Sequence, residues 1–325
     1  VVGAEKISGK DCHRACVRLA SFHPVENEAP KPAPSKSAVF LRRGFSTLLL
    51  WGVVVTIFWS MVPAAYLGLI GVLAIISTME YFKMLRADGV KCFPRFGIIV
   101  AILYCLLAYR GFLSGEKDIP HILDAAAIFI AVTGAFTLQL RYSIKGVEAL
   151  LSVAANALGF IYIAFLFNFA ARISFGLPGE GAVPGAFVLL WLLTVTKFTD
   201  MGAYLTGSLI GKHKMIPHIS PGKTWEGFFG AIVFAQLAAC GLYALLPGKL
   251  AALHSWPHVI ALGFILAVLA VIGDLAESVV KRSVHAKDSG NMLPGIGGGL
   301  DLIDSICFTA PALWFYLVWF IPNIT

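Results

Sequence analysis

Two aspartates, Asp301 and Asp304, stand three residues apart behind a glycine-rich turn in PGIGGGLDLIDS, and the chain then runs into the apolar stretch TAPALWFYLVWFI. A third, Asp274, closes the preceding apolar stretch directly after VLAVIG. A carboxylate at the border of a membrane-like segment is costly and rarely accidental. One acid in the first turn of a helix needs only the helix dipole or a cap to explain it. Two at i and i+3 share a face, and only one of them can be the cap. Three carboxylates converging at the ends of two consecutive apolar segments form an oxygen-only ligand set, which suits Mg²⁺ retaining some water and binding substrate phosphates. Asp274, Asp301 and Asp304 are therefore the expected metal ligands. The paired glycines Gly297 and Gly298 let backbone N–H groups approach an anion closely. A flexible connection between helices would use them equally well.

Two neighbouring stretches carry further polar groups. In GDLAESVVKRSVHAKD, residues 273–288, a helix continuing past the membrane surface places Asp274, Ser278, Lys281 and Arg282 on one face. Glu277 and Lys281 form an i,i+4 pair, expected to be a surface ion pair on a solvated helix end. In TDMGAYLTGSLIGKHKMIPHISPGKTWEG, residues 199–227, PGKT invites comparison with a phosphate-binding P-loop. The first glycine of that motif would fall at Pro217, and no soluble strand precedes it, so the comparison fails. Lys212, Lys214, Lys223, Ser220 and Thr224 remain as donors for a polyanion, or as charges that orient a helix end.

The elements that must position these residues are membrane helices. Of 325 residues, 58% are hydrophobic and 13% charged, with a mean hydropathy of +0.82. Soluble domains carry about a quarter charged residues. Nine apolar stretches are long enough to span, at about 45–62, 64–82, 96–110, 122–140, 147–170, 184–211, 227–246, 257–277 and 302–321. None alternates as barrel strands do, which leaves an all-α polytopic bundle. The third is short, and the sixth contains Lys197 and Asp200, so it is expected to be broken or to face a polar cavity. With the N-terminus in the cytoplasm, the inner loops receive fourteen Lys and Arg residues, from Arg42 to Lys287. The outer loops receive four, Arg110, Lys117, Arg172 and Lys249. That asymmetry predicts nine spans with the N-terminus inside, the C-terminus outside and the polar clusters facing the cytoplasm.

Three regions follow: a polar, proline-dotted extension over 1–37, expected to be disordered; a scaffold over 38–183; and a catalytic region over 184–325. The extension has no apolar core or cleavage site of a signal peptide. The net charge of +7 lies in short loops without interleaved aromatics, which argues against a nucleic-acid partner. The six cysteines are scattered and imply no disulfide framework, and Cys12-His13-Arg14-Ala15-Cys16 lacks further metal ligands.

Taken together, the two polar clusters resemble the membrane-bound phosphatidate cytidylyltransferase family. Its signature is matched by Ser278, Lys281-Arg282, Lys287-Asp288, Pro294-Gly295, Gly297-Gly298, Asp301 and Asp304 with every spacing kept, and the stretch from Asp200 to Gly227 is also similar. The resemblance covers about residues 184–320. Two positions depart from it: Ile296 stands where the family commonly has His, and Leu302 where it commonly has Arg.

The resemblance implies a nucleotidyltransferase that converts CTP and phosphatidate to CDP-diacylglycerol and pyrophosphate in phospholipid biosynthesis. It implies one or two cations, Mg²⁺ among them, on Asp274, Asp301 and Asp304. Lys223, Lys281, Arg282 and Lys287 would neutralise phosphate charge, with Asp200, Ser220, Thr224, Ser278, Asp288, Gly297 and Gly298 lining the substrate site. The expected partners are CTP, phosphatidate, the lipid bilayer and, in a homodimer, a second copy of the chain. The expected location is a bacterial-type plasma membrane. The competing readings are a CTP-dependent polyprenol kinase, which would release CDP, and an ion-coupled transporter, which the one-sided clustering of acids argues against.

Overall fold

The computed structural model describes residues 62–114, 119–144, 146–177, 183–290 and 297–321, with scattered positions between 52 and 60. The extension over 1–37, most of the first expected span, and Pro294, Gly295 and Ile296 lie outside the described residues. Among those described, eight helices are long and apolar enough to cross a membrane, one for each of the second to ninth expected spans. The chain is an integral membrane protein built as a helical bundle.

The N-terminal half comprises α1 (Pro63–Ala87), α2 (Pro94–Ser114), α3 (Ile119–Gln139), α4 (Glu148–Gly159) and α5 (Phe169–Gly176). Proline opens both α1 and α2, where its missing N–H costs no helical hydrogen bond. The third span, short by its apolar run, is a full 21-residue helix, α2. Between α4 and α5 the helix widens into a π segment, Phe160–Phe165. Just before it, the Tyr81 hydroxyl of α1 donates to the Ala155 carbonyl of α4 at 3.0 Å. At the far end of these helices Arg172 pairs with Asp124. Tyr104 donates to Asp124 at 2.8 Å and Asn168 donates to Tyr104 at 3.1 Å, so the arginine's charge is met by a carboxylate that the neighbouring helices hold in place.

The C-terminal half begins with α6 (Val183–Ile210), which is continuous. It does not break at Lys197 and Asp200, because these two side chains pair with each other at 3.4 Å and leave the backbone intact. A hairpin follows, β1 (Lys214–Ile216) and β2 (Ser220–Thr224), paired antiparallel with Lys214 opposite Thr224. Thr224 then caps α7 (Trp225–Leu245), its Oγ1 accepting the Gly227 N–H at 3.1 Å. Helices α6 and α7 cross at small residues: a Cβ added to Gly202 would lie 2.7 Å from the Gly230 carbonyl. Such residues let helix backbones approach in lipid, where packing replaces the hydrophobic drive. The chain ends in α8 (Trp256–Ser283), a single turn α9 (Leu300–Ile303) and α10 (Ile306–Phe320). Leu106, Phe129, Phe136, Phe229 and Leu237 are exposed on the outside of the bundle, as lipid-facing residues are.

Candidate active site

The site forms where α8 and α10 cross. A Cβ on Gly273 would sit 2.8 Å from Ser305 Cα and 2.9 Å from the Asp304 carbonyl, so only glycine permits this approach. The Ser305 hydroxyl fastens the crossing by donating to the Ala270 carbonyl at 3.2 Å. The residues next to these contacts, Asp274 and Asp304, are thereby brought together.

Asp274, Glu277 and Asp304 each present a carboxylate oxygen, all within 4.8 Å of one another. Glu277 is 1% exposed and Asp304 6%. Asp304 Oδ1 accepts the Ser305 N–H at 2.5 Å. Glu277 Oε1 is buried and accepts no hydrogen bond. As an anion, a buried carboxylate with one oxygen lacking a donor, beside two more carboxylates, is costly, and a cation shared between them would offset that cost. The donor set is all oxygen, as a hard divalent cation requires, so these residues fit Mg²⁺.

Asp301 stands beside this trio. Its Oδ1 accepts from Lys281 Nζ at 2.9 Å and its Oδ2 from the Gly298 N–H at 2.7 Å. Lys281 also lies 2.5 Å from Glu277 Oε2, so one ammonium bridges two acids. The Glu277–Lys281 pair is therefore not the surface pair its i,i+4 spacing suggests, because both side chains are covered where α8 meets α9 and the glycine segment. Gly297, at φ 121°, cannot carry a side chain: a Cβ there would fall 2.4 Å from Asp301 Oδ2.

The hairpin joins the cluster through Lys223, whose ammonium lies 2.8 Å from Asp274 and donates to the Val271 carbonyl at 3.3 Å. Asp200, Ser220, Lys223, Thr224 and Asp274 line one cleft of about 420 Å³. On the other side of the Lys197–Asp200 pair, Lys197 is the one charged residue, among the described residues, lining an otherwise apolar cavity of about 110 Å³, whose walls include Leu69, Leu189, Leu302 and Ile303. Leu302, one of the two departures, is part of that apolar wall.

Other expected site residues are less closely drawn in. Ser278 is half-buried on α8. Arg282 is exposed and closes the helix end on the Ala286 carbonyl at 3.2 Å; Lys287 and Asp288 are exposed on the following segment.

Three groups were invisible to motif reading. Glu277 was obscured by its lysine partner. Tyr162, in the π segment, is buried with no hydrogen-bond partner for its hydroxyl, and its electrostatic neighbours are Cys307, Asp304, Glu277 and Asp274. Glu80 of α1 accepts the Leu300 N–H at 3.1 Å. The available signal for Glu80 was an acid inside a span of the presumed scaffold.

The model of the cytidylyltransferase family matches residues 41–320, extending well into the N-terminal half. The phosphatidate cytidylyltransferase of Bacillus subtilis is 32% identical, with 75% of this chain and 86% of that protein aligned. That of Staphylococcus epidermidis is 37% identical, over 75% of this chain and 96% of that protein. The uncharacterized protein YnbB of Escherichia coli is 33% identical over 58% of this chain and 62% of its own length. Motifs, acidic crossing and matched length lead to one assignment: the chain belongs to the cytidylyltransferase family.

Proposed function

We propose that this chain is a phosphatidate cytidylyltransferase, joining CTP to phosphatidate to give CDP-diacylglycerol and pyrophosphate. The observation that carries this reading is that two unlike cavities reach the two partners of one ion pair, Lys197 and Asp200, and that the polar one also reaches Asp274 of the acidic cluster. A polar cleft with Lys223 and Asp274 suits a nucleoside triphosphate, and an apolar cavity ending at Lys197 suits an acylated phosphate. The related enzymes of B. subtilis and S. epidermidis bear the name of this activity.

In the reaction, a phosphate oxygen of the lipid attacks the α-phosphorus of CTP, and the bond from that phosphorus to the bridging oxygen of the β-phosphate breaks. The lipid phosphate is already anionic at neutral pH, so the site needs positioning and charge neutralisation more than a strong base. Asp274, Glu277 and Asp304 would hold Mg²⁺, which supplies charge neutralisation on the triphosphate. Lys223 orients the nucleotide's phosphates from the hairpin side. Lys197 receives the lipid phosphate at the end of the apolar cavity. Lys281 keeps Glu277 and Asp301 in register, and the apolar wall around Leu302 limits water. Positive charge concentrated in the loops on the same side supports a cytoplasmic-facing site in a bacterial-type plasma membrane.

Membranes containing the chain, given CTP, Mg²⁺ and phosphatidate, should form lipid-linked CMP and pyrophosphate together. Release of CDP with a phosphorylated lipid would instead identify a CTP-dependent lipid kinase. A folded, CTP-binding chain yielding neither product would overturn the proposal.

A further inference from the structure

We propose that Glu80, in the N-terminal half, is a positioning residue of the site: it holds the glycine segment and the start of α9 so that Asp301 meets Lys281. The inference rests on the cytidylyltransferase reading for its effect on turnover, and on geometry alone for its effect on the segment.

Glu80 is buried near the end of α1, yet its carboxylate is not idle. Oε2 accepts the Leu300 N–H at 3.1 Å and the Ser289 hydroxyl at 3.5 Å. Two glycines are shaped around it: a Cβ on Gly290 would fall 2.2 Å from Oε1, and one on Gly298 would fall 2.4 Å from Oε2. The carboxylate thus occupies space that side chains at either glycine would need. These contacts span more than two hundred residues of sequence and tie α1 to both ends of the segment between α8 and α9.

From there the influence passes by direct contact. Gly298, pressed against Glu80, gives its N–H to Asp301 Oδ2 at 2.7 Å, and Asp301 Oδ1 takes the Lys281 ammonium at 2.9 Å. Lys281 in turn lies against Glu277 of the acidic trio. Glu80 touches none of the three cluster acids, so it acts through the backbone it holds. The glycines of this segment accordingly serve a second purpose besides approach to phosphate: they make room for an acid from another helix.

Three variants of the full-length chain test this in detergent or nanodiscs. Glu80→Ala removes the acceptor, Glu80→Gln keeps a carbonyl oxygen for Leu300 and Ser289, and Asp88→Asn is the control. Asp88 lies on the same helix end and pairs with His285 at 2.9 Å on the exposed surface. Amide hydrogen exchange of peptides covering 297–303 should accelerate in Glu80→Ala and stay near wild type in the other two. A hydrogen bond to a charged acceptor is worth enough that turnover should drop about tenfold or more in Glu80→Ala and recover to within about threefold in Glu80→Gln.

Unchanged exchange over 297–303 in Glu80→Ala would overturn the proposal. So would acceleration spread evenly over all spans, which would mark a packing role, or equal losses in the alanine and glutamine variants. A wild-type chain that makes no lipid-linked CMP would sink the functional reading alone, and the exchange pattern would still decide the role of Glu80.

Discussion

Lys223 and Asp274 meet at 2.8 Å, although one sits on a hairpin before α7 and the other deep in α8. This pair joins the two polar clusters of the sequence into one site. It also sets a competition, because Asp274 belongs to the acidic trio and its lysine is the nearest cation to it from the hairpin. On the proposed function, an incoming triphosphate would draw the ammonium from the carboxylate to phosphate.

Lys223→Ala should therefore raise KM for CTP by about tenfold, the scale of one lost charge-assisted hydrogen bond. The pair is partly exposed, so thermal stability should change little. An unchanged KM for CTP would remove Lys223 from the nucleotide's contacts.

Glu277 and Asp301 should separate in a Mg²⁺ titration. Glu277→Gln weakens the oxygen set, so the Mg²⁺ concentration for half-maximal activity, and for half-maximal thermal stabilisation, should rise about tenfold or more. Asp301→Asn should leave a folded protein whose turnover is lost while its Mg²⁺ stabilisation is nearly retained. If Asp301→Asn abolishes Mg²⁺ stabilisation and Glu277→Gln does not, the ligand roles are exchanged.

Removing Lys281 leaves Glu277, buried, facing Asp301 with no cation between them. Lys281→Met should destabilise by about 3–5 kcal/mol, the usual cost of breaking a buried ion pair from one side. Added Mg²⁺ should return part of that loss by screening the same acids. Denaturation in detergent, with and without Mg²⁺, measures both effects.

Two glycines give opposite expectations. Gly297→Ala combines a strained φ with a collision at Asp301, and should cut activity sharply with Asp301 displaced. Gly222 of PGKT has open space where a Cβ would go, so Gly222→Ala should have near-normal kcat. Loss of activity in Gly222→Ala would mean that the turn approaches phosphate through its backbone after all.

The membrane helices were legible because a long apolar run in lipid has little choice but to be helical. Asp274 and Asp304 were legible for a related reason: an acid at the end of such a run needs an explanation. Glu277 was not, since an i,i+4 lysine offers a sufficient local one, and only the packing of α9 and the glycine segment over α8 shows that the pair is buried. Glu80 was hidden more thoroughly, because its partners Ser289 and Leu300 lie far along the chain and no spacing rule links them. The sixth span stayed unbroken because Lys197 and Asp200 satisfy each other from the side of a continuous helix.

The π segment Phe160–Phe165 amounts to one extra residue threaded into a helix that otherwise crosses the membrane in the ordinary way. Because the extra residue is absorbed within one widened turn, removing it would let that turn close to ordinary α geometry with the faces on either side nearly kept. What the widening contributes is therefore local: it carries Tyr162, whose buried hydroxyl stands among Asp274, Glu277 and Asp304.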